Sequence, residues 1–381
     1  MERPQIIPTK AEPILVDGLN EDPRVSQYSG VTSELIRQML VDGQSPLIIP
    51  DLTSPEDLAT IESRIESAKY EQEFPDDTVG DTDTAFFSTD YSDNILGTEH
   101  LGYKPLIGIP ARRVEGVTDD DQTETVQFTS ATLVNIEIIR QNGGIPVIIP
   151  SGIGFDNQQA IIEILDGVLF AGGGDINDSL SGVANNKQGF DSPEAAALSA
   201  EAKIDMPTMI ERDTDEHRIV EIAKNLGMAV VGFCRGLQII NISHGGTLRY
   251  IDDVNADPDD DTHLDLTDPA NNTTQVQVFP GTELGDTILK AIASDNTDTI
   301  ELPSAHHMAI NQLGENLSIV GESTGQDRII KFVTNKEQTF FATQGHPEWN
   351  PDAPFARAML RLFMSKAIMY ARNRGRLHLA S

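Results

Sequence analysis

The segment Gly232-Phe233-Cys234-Arg235-Gly236-Leu237-Gln238 constrains this chain more than any other part of it. It follows the apolar run Met228 to Val231 and leads into a stretch of helical period, Leu237 to His244. A strand, a tight turn and a helix in that order present the turn residue at the edge of a sheet, and glycine on both sides accommodates a backbone too cramped for side chains. Cys234, the single cysteine of 381 residues, stands at the turn. There it meets the positive end of a helix dipole and unpaired backbone N–H groups, which favour a thiolate and make the sulfur a usable nucleophile.

The rest of the chain supplies a sheet for such a turn. Short apolar runs ending in proline or glycine alternate with longer segments of helical period, the pattern of an α/β protein with a mainly parallel sheet. Strands are expected at Leu106 to Pro110, Pro146 to Pro150, Val168 to Ala171 and Ala229 to Phe233. Helices are expected at Phe128 to Gln141, Gln158 to Leu165 and Asp215 to Leu226, the last stopping at Gly227. Farther on, Thr274 to Phe279, Leu317 to Glu322, Arg328 to Val333 and Thr339 to Thr343 alternate apolar and polar residues, as half-buried antiparallel strands do. A closing helix from Ala353 to Arg372 carries an apolar stripe that includes Phe355, Met359, Leu362 and Phe363.

The first hundred residues read as an extension. Tyr28 to Pro50 aligns without gaps on Phe128 to Pro150, with seven of 23 positions identical, so residues 1–100 are a candidate partial duplication of the first αβ unit. The copy lacks the cysteine, the glycine run and the histidine segment, which points to a structural or homodimer-interface role. Residues 70–102 are acidic and turn-rich and read as a linker, leaving 103–381 as the catalytic domain.

Composition narrows the partners. Lysine and arginine number 27 against 60 aspartates and glutamates, a net charge of −33, which disfavours nucleic acid and anionic membrane surfaces and would suit high salt. A lone cysteine cannot form an internal disulfide, Met1 to Pro4 lead into no apolar signal region, and no apolar run is long enough to span a membrane. A cytoplasmic protein is expected.

A thiolate needs a base, and Gln344-Gly345-His346-Pro347-Glu348-Trp349 supplies one at the end of an apolar run. Pro347 fixes its own φ and pushes His346 toward an extended conformation, so imidazole and carboxylate can stand in a defined relation. Glu348 would set the tautomer, and His346 would take the proton of Cys234 and return it to a leaving amine. For an oxyanion, the geometry of the turn offers the N–H of Arg235, and the glycine run Gly172-Gly173-Gly174 offers another near Gly173. That run matches neither G-x-G-x-x-G nor G-x-x-x-x-G-K-[ST], and no nucleotide-binding motif or cofactor requirement is evident. Arg212, Asp213 and Glu216 form either an ion-pair network at a helix start or a binding group. Asp119 to Asp121, and Asp259 to Asp261 with His263, read as solvated loops, so no metal is expected.

Together these pieces resemble the class I glutamine amidotransferase-like superfamily, and within it the peptidase C26 or γ-glutamyl-γ-aminobutyrate hydrolase family. The resemblance runs in order through Pro105 to Ile109, Gly143 to Val147, Asp166 to Asp175, Arg212 with Asp213 and Glu216, Cys234 to Gln238, Gly245 to Leu248, His306 with His307, and His346 to Trp349. It implies a flavodoxin-like sheet with helices on both faces, a Cys234–His346–Glu348 triad, and a thioester formed on Cys234 from a small-molecule γ-glutamyl amide. It also implies an oxyanion hole at Gly173 and Arg235 and substrate contacts from Gln238, Gly174 and His307. The chain departs from the family at Pro303, Met308 and Gln275, positions that the resemblance places near the substrate mouth. Two other readings remain at this point: a glutaminase supplying ammonia to a separate synthetase, and a catalytically silent binding or scaffold protein of the same fold.

Overall fold

The structure, a computed structural model, describes residues 103–117, 125–177, 180, 206–251, 272–293, 297–306, 308–325 and 328–375. The expected N-terminal duplication, the acidic linker, both aspartate runs and His307 lie outside the described residues.

One sheet organises the protein. The strands β1 (Leu106–Pro110), β4 (Ile145–Ile149), β5 (Gly167–Phe170), β6 (Ala229–Phe233) and β13 (Phe340–Thr343) pair in parallel in the order β4-β1-β5-β6-β13. This is the order of a flavodoxin-like sheet. Past β13 the sheet continues antiparallel through β12 (Ile330–Asn335), β11 (Leu317–Ser323), β8 (Thr273–Val278) and β9 (Thr299–Pro303), giving nine strands. The far end curls back, because the carbonyl of Pro303 on the edge strand accepts the N–H of His346, just past β13, at 2.7 Å.

The parallel strands are buried on both faces, as parallel strands between helical layers must be. Leu106, Val168, Phe170 and Val230 point to one core with α2 (Phe155–Ile164), α3 (Met206–Leu226) and α4 (Arg235–Ser243). Ile107, Leu169, Val231 and Phe233 point to the other with α1 (Leu133–Gln141), α5 (Glu283–Ala291) and α6 (Pro354–Asn373). Each large apolar side chain so buried contributes roughly 1.5–3 kcal/mol. The stripe on α6 is core, with Phe355, Met359 and Phe363 buried, while Arg357, Arg361 and Arg372 are exposed.

Three differences from the sequence expectation matter. The segment Thr125–Ser130 is the strand β3, which forms a hairpin with β2 (Arg112–Val117), so α1 begins at Leu133 rather than at Phe128. The alternation of Val126 and Phe128 with polar neighbours is a strand period, and the helix takes over only after Thr132. Helix α3 begins at Met206, nine residues before Asp215, although Met206 to Thr214 lacks a clear apolar stripe. Finally, β7 (Thr247–Tyr250) and β10 (Met308–Gln312) pair with each other in a separate two-stranded ribbon.

Candidate active site

The turn at Cys234 is built as its sequence requires. Cys234 has φ 48° and ψ −104°, a left-handed conformation that a non-glycine residue adopts only under constraint. Its N–H donates to the carbonyl of Thr343 at 2.8 Å, and its own carbonyl accepts from the N–H of Leu237 at 3.0 Å, so strand and helix hold the turn from both ends. A Cβ at Gly232 would lie 2.7 Å from the carbonyl carbon of Gly236, and one at Gly236 would strike the carbonyl oxygen of Phe170. Neither position admits any other residue without moving backbone.

Three groups converge on the sulfur, and Cys234 is only 4% exposed. The carbonyl of Ala305 lies 3.5 Å from Sγ, and the amide nitrogen of Gln344 donates to Sγ at 3.7 Å. The third is His346. A Cβ added at Gly172 would lie 2.8 Å from Cε1 of His346 and 3.5 Å from Cβ of Cys234, so this glycine faces both residues.

His346 is held on every side. Its Nδ1 lies 2.8 Å from Oε1 of Glu348, an acceptor, so Nδ1 carries the proton and Nε2 is left to the sulfur. Its ring stacks on Trp349 with centroids 3.8 Å apart and planes within 5°. Pro347 opens the short 3₁₀ turn Pro347–Trp349, which lets residues two and three positions on fold back over the imidazole. Burial alone would lower the pKa of His346. The charges on Cys234 and Glu348, with a hydrogen bond to each, outweigh it and raise the pKa well above the usual 6.5. An imidazole in that state can hold a proton opposite a thiolate and deliver it to a leaving group.

Of the expected oxyanion donors, Arg235 follows Cys234 in the chain and Gly173 follows Gly172. The N–H of Arg235 opens α4, where helical N–H groups have no intrahelical partner. Gly173 lies in the loop that follows β5, and Arg212 braces that loop: a Cβ at Gly173 would lie 2.6 Å from its Nη1, and its Nη2 reaches the carbonyl of Gly172 at 3.4 Å.

Arg212, Asp213 and Glu216 form an ion-pair network, but inside α3 rather than at its start. Arg235, 2% exposed, donates to Asp213 at 2.5 Å and lies 3.2 Å from Glu216, which also accepts from Nε of Arg212 at 2.7 Å. Asp213 takes a further N–H from Asn177 at 2.9 Å. Burial pushes the Asp213 carboxyl upward, against the pull of Arg235.

Of the expected substrate contacts, Gly174 is exposed beside Gly173, and Gln238 is buried with its amide nitrogen donating to the carbonyl of Met308 at 3.0 Å. His306 is buried. Pro303 and Met308 flank the segment that reaches Sγ, whereas Gln275 is exposed and donates to Glu301 at 3.0 Å. Sequence reasoning overlooked Lys331, which is fully buried against Ser304 and His306. The available signal was a cation inside the apolar run Ile329 to Val333. Among the described residues no group of three or more histidine, cysteine, aspartate or glutamate side chains could hold a metal, and no helix is long and apolar enough to cross a membrane.

Known proteins resemble this chain in sequence. The chain is 26% identical over 248 residues to protein NtpR of Enterococcus hirae, covering 64% of this chain and 91% of that one. It is 25% identical over 236 residues to YvdE of Lactococcus lactis, named as glutamine amidotransferase-like, covering 61% and 87%. A solved structure from Thermoplasma acidophilum, named as one of the subunits of GMP synthase, superimposes with a TM-score of 0.44 at 15% identity, over 72% of this chain and 98% of that one. The family model for peptidase C26 matches residues 105–348, from β1 through Glu348, and the chain belongs to the peptidase C26 family.

Proposed function

We propose that the chain hydrolyses γ-glutamyl amide bonds of small molecules, with Cys234 as nucleophile, His346 as acid and base, and Glu348 as the carboxylate that orients it. The observation that carries this reading is the placement of His346, bonded to Glu348 and facing Cys234 across Gly172. The Cys234 sulfur attacks the γ-carbonyl carbon, and the N–H groups of Gly173 and Arg235 receive the oxyanion. The C–N bond breaks as His346 gives its proton to the departing amine, leaving a thioester. His346 then takes a proton from water, whose oxygen attacks the thioester carbon. The C–S bond breaks, and glutamate leaves with Cys234 restored.

In this reading Gln238, Gly174 and His307 hold the glutamyl part, residues 103–381 form the catalytic domain, and residues 1–100 serve structure or dimer formation in the cytoplasm. A second reading draws support from relatives named as glutamine amidotransferases: a glutaminase that passes ammonia to a separate synthetase.

The test is release of free glutamate from a panel that includes γ-glutamyl-γ-aminobutyrate and glutamine, at low and molar salt. Turnover of γ-glutamyl amines, lost by at least roughly 10⁴-fold in Cys234→Ala, is the expected result. Turnover of glutamine alone selects the ammonia donor. Folded protein that releases no glutamate from any compound selects the silent scaffold.

A further inference from the structure

Lys331 lies on β12 with 0% of its surface exposed, between the buried apolar residues Ile329 and Phe332. A buried ammonium must be held by acceptors, because desolvation penalises it heavily. Its Nζ donates to Oγ of Ser304 at 3.0 Å and to Nε2 of His306 at 2.9 Å. The second bond fixes a tautomer: Nδ1 of His306 lies 2.9 Å from the carbonyl of Met308, so Nδ1 carries the proton and Nε2 offers its lone pair to Lys331. The side chain of Lys331 thus staples both Ser304 and His306.

Its main chain acts on the opposite wall. The carbonyl of Lys331 accepts the N–H of Gln344 at 2.8 Å. Each of these two segments touches the nucleophile, one through the Ala305 carbonyl, 3.5 Å from Sγ, and the other through the Gln344 amide at 3.7 Å. They are also joined directly, because His346 N–H donates to the Pro303 carbonyl. One residue therefore ties together the two stretches of chain that enclose the sulfur.

We propose that Lys331 is a positioning residue for the Cys234 site: its ammonium holds Ser304 and His306 so that residues 303–306 keep the Ala305 carbonyl against Sγ and the Pro303 carbonyl against His346. Lys331 acts through these residues and does not touch substrate. The proposal rests on reading Cys234 as the nucleophile paired with His346, and not on the identity of the substrate.

The single cysteine makes the test clean, since iodoacetamide alkylation of the native full-length protein reads Cys234 alone. The rate would be followed against pH in wild type, Lys331→Met, Lys331→Arg and Ser304→Ala, with circular dichroism as the check on folding. Lys331→Met is expected to alkylate at least about ten-fold more slowly at neutral pH, with the pH dependence of its rate displaced from that of wild type. Lys331→Arg, which keeps a cation with several donors, is expected to recover to within about three-fold of wild type, and Ser304→Ala to fall between. A folded Lys331→Met with the wild-type profile overturns the proposal. If Lys331→Met does not fold, Ser304→Ala and His306→Asn decide: a slowed, displaced profile in either supports it, and wild-type profiles in both overturn it. Should the wild type release no glutamate while the alkylation profiles move as expected, the γ-glutamyl reading fails and the role of Lys331 stands.

Discussion

On the α3–α4 side of Cys234, the buried charges are committed to one another: Arg235 meets Asp213 and Glu216, and Arg212 meets Glu216. On the other side, His346 meets Glu348 on a loop, and its remaining nitrogen faces the sulfur. Both clusters are buried, yet in the first each charge faces an opposite charge of the fold, while the second sets an imidazole between a carboxylate and the sulfur. Burial by itself does not mark a catalytic charge. What separates the two is whether every charged atom already has a fixed partner within the fold or whether one is left facing the reacting atom.

Substitutions that separate stability from chemistry would sharpen or break this contrast. Arg235→Met should have the largest effect on folding, leaving Asp213 buried without its cation and Glu216 with Arg212 alone, at a cost of about 3–5 kcal/mol, measured by urea unfolding. A variant that unfolds like wild type but loses activity would place Arg235 in the chemistry and erase the distinction. Glu348→Gln should do the opposite, lowering kcat by roughly 10²-fold to 10⁴-fold with a smaller change in stability.

The pH profile carries the same information. The raised pKa of His346 keeps its acid form available above the usual range, so kcat should fall only as pH rises through that folded-state value. Glu348→Gln removes one of the charges responsible, and the alkaline limb should move to lower pH. The sign for stability agrees: because the pKa is raised on folding, the contribution of His346 is full below its unfolded value and is lost as pH rises through the folded one. An unmoved limb would mean that Glu348 does not govern this proton. The smallest effect is expected at a pair near the surface, where Lys366 lies 2.6 Å from a Glu283 that is 44% exposed. Lys366→Ala should change unfolding free energy by no more than about 1 kcal/mol, and a larger loss would undercut burial as the source of the Arg235 effect.

How much of this was legible beforehand depended on whether the determining contacts were local. The turn at Cys234 was readable because Gly232 and Gly236 stand two residues to either side, and four of the five parallel strands because each is a short apolar run ending near glycine or proline; β13 instead read as an alternating antiparallel strand, yet it is fully buried and parallel to β6. Pro347 likewise announced the His346–Glu348 geometry within three residues. The start of α3 was not readable: Met206 to Thr214 has no clear apolar stripe, and its helix is anchored partly by contacts from Arg212 to Gly172 and from Asp213 to Asn177 and Arg235, which lie outside it. Lys331 was overlooked for the same reason, since a lone lysine in a strand looks solvent-facing until Ser304 and His306, some 25 residues earlier, are brought to it, and only the apolar residues around it hinted otherwise. The hairpin β2–β3 was missed although its period was present, because the helical period that begins after Thr132 masks the strand period just before it.

The stacking of Trp349 on His346 reaches beyond shape. Trp349 is the only tryptophan in the chain, so indole emission from this protein arises from a single ring lying 3.8 Å from the imidazole. A charged imidazolium in face contact withdraws excited-state electron density from an indole more strongly than a neutral ring does. The fold therefore carries an internal optical gauge of one proton, readable without substrate, label or mutation.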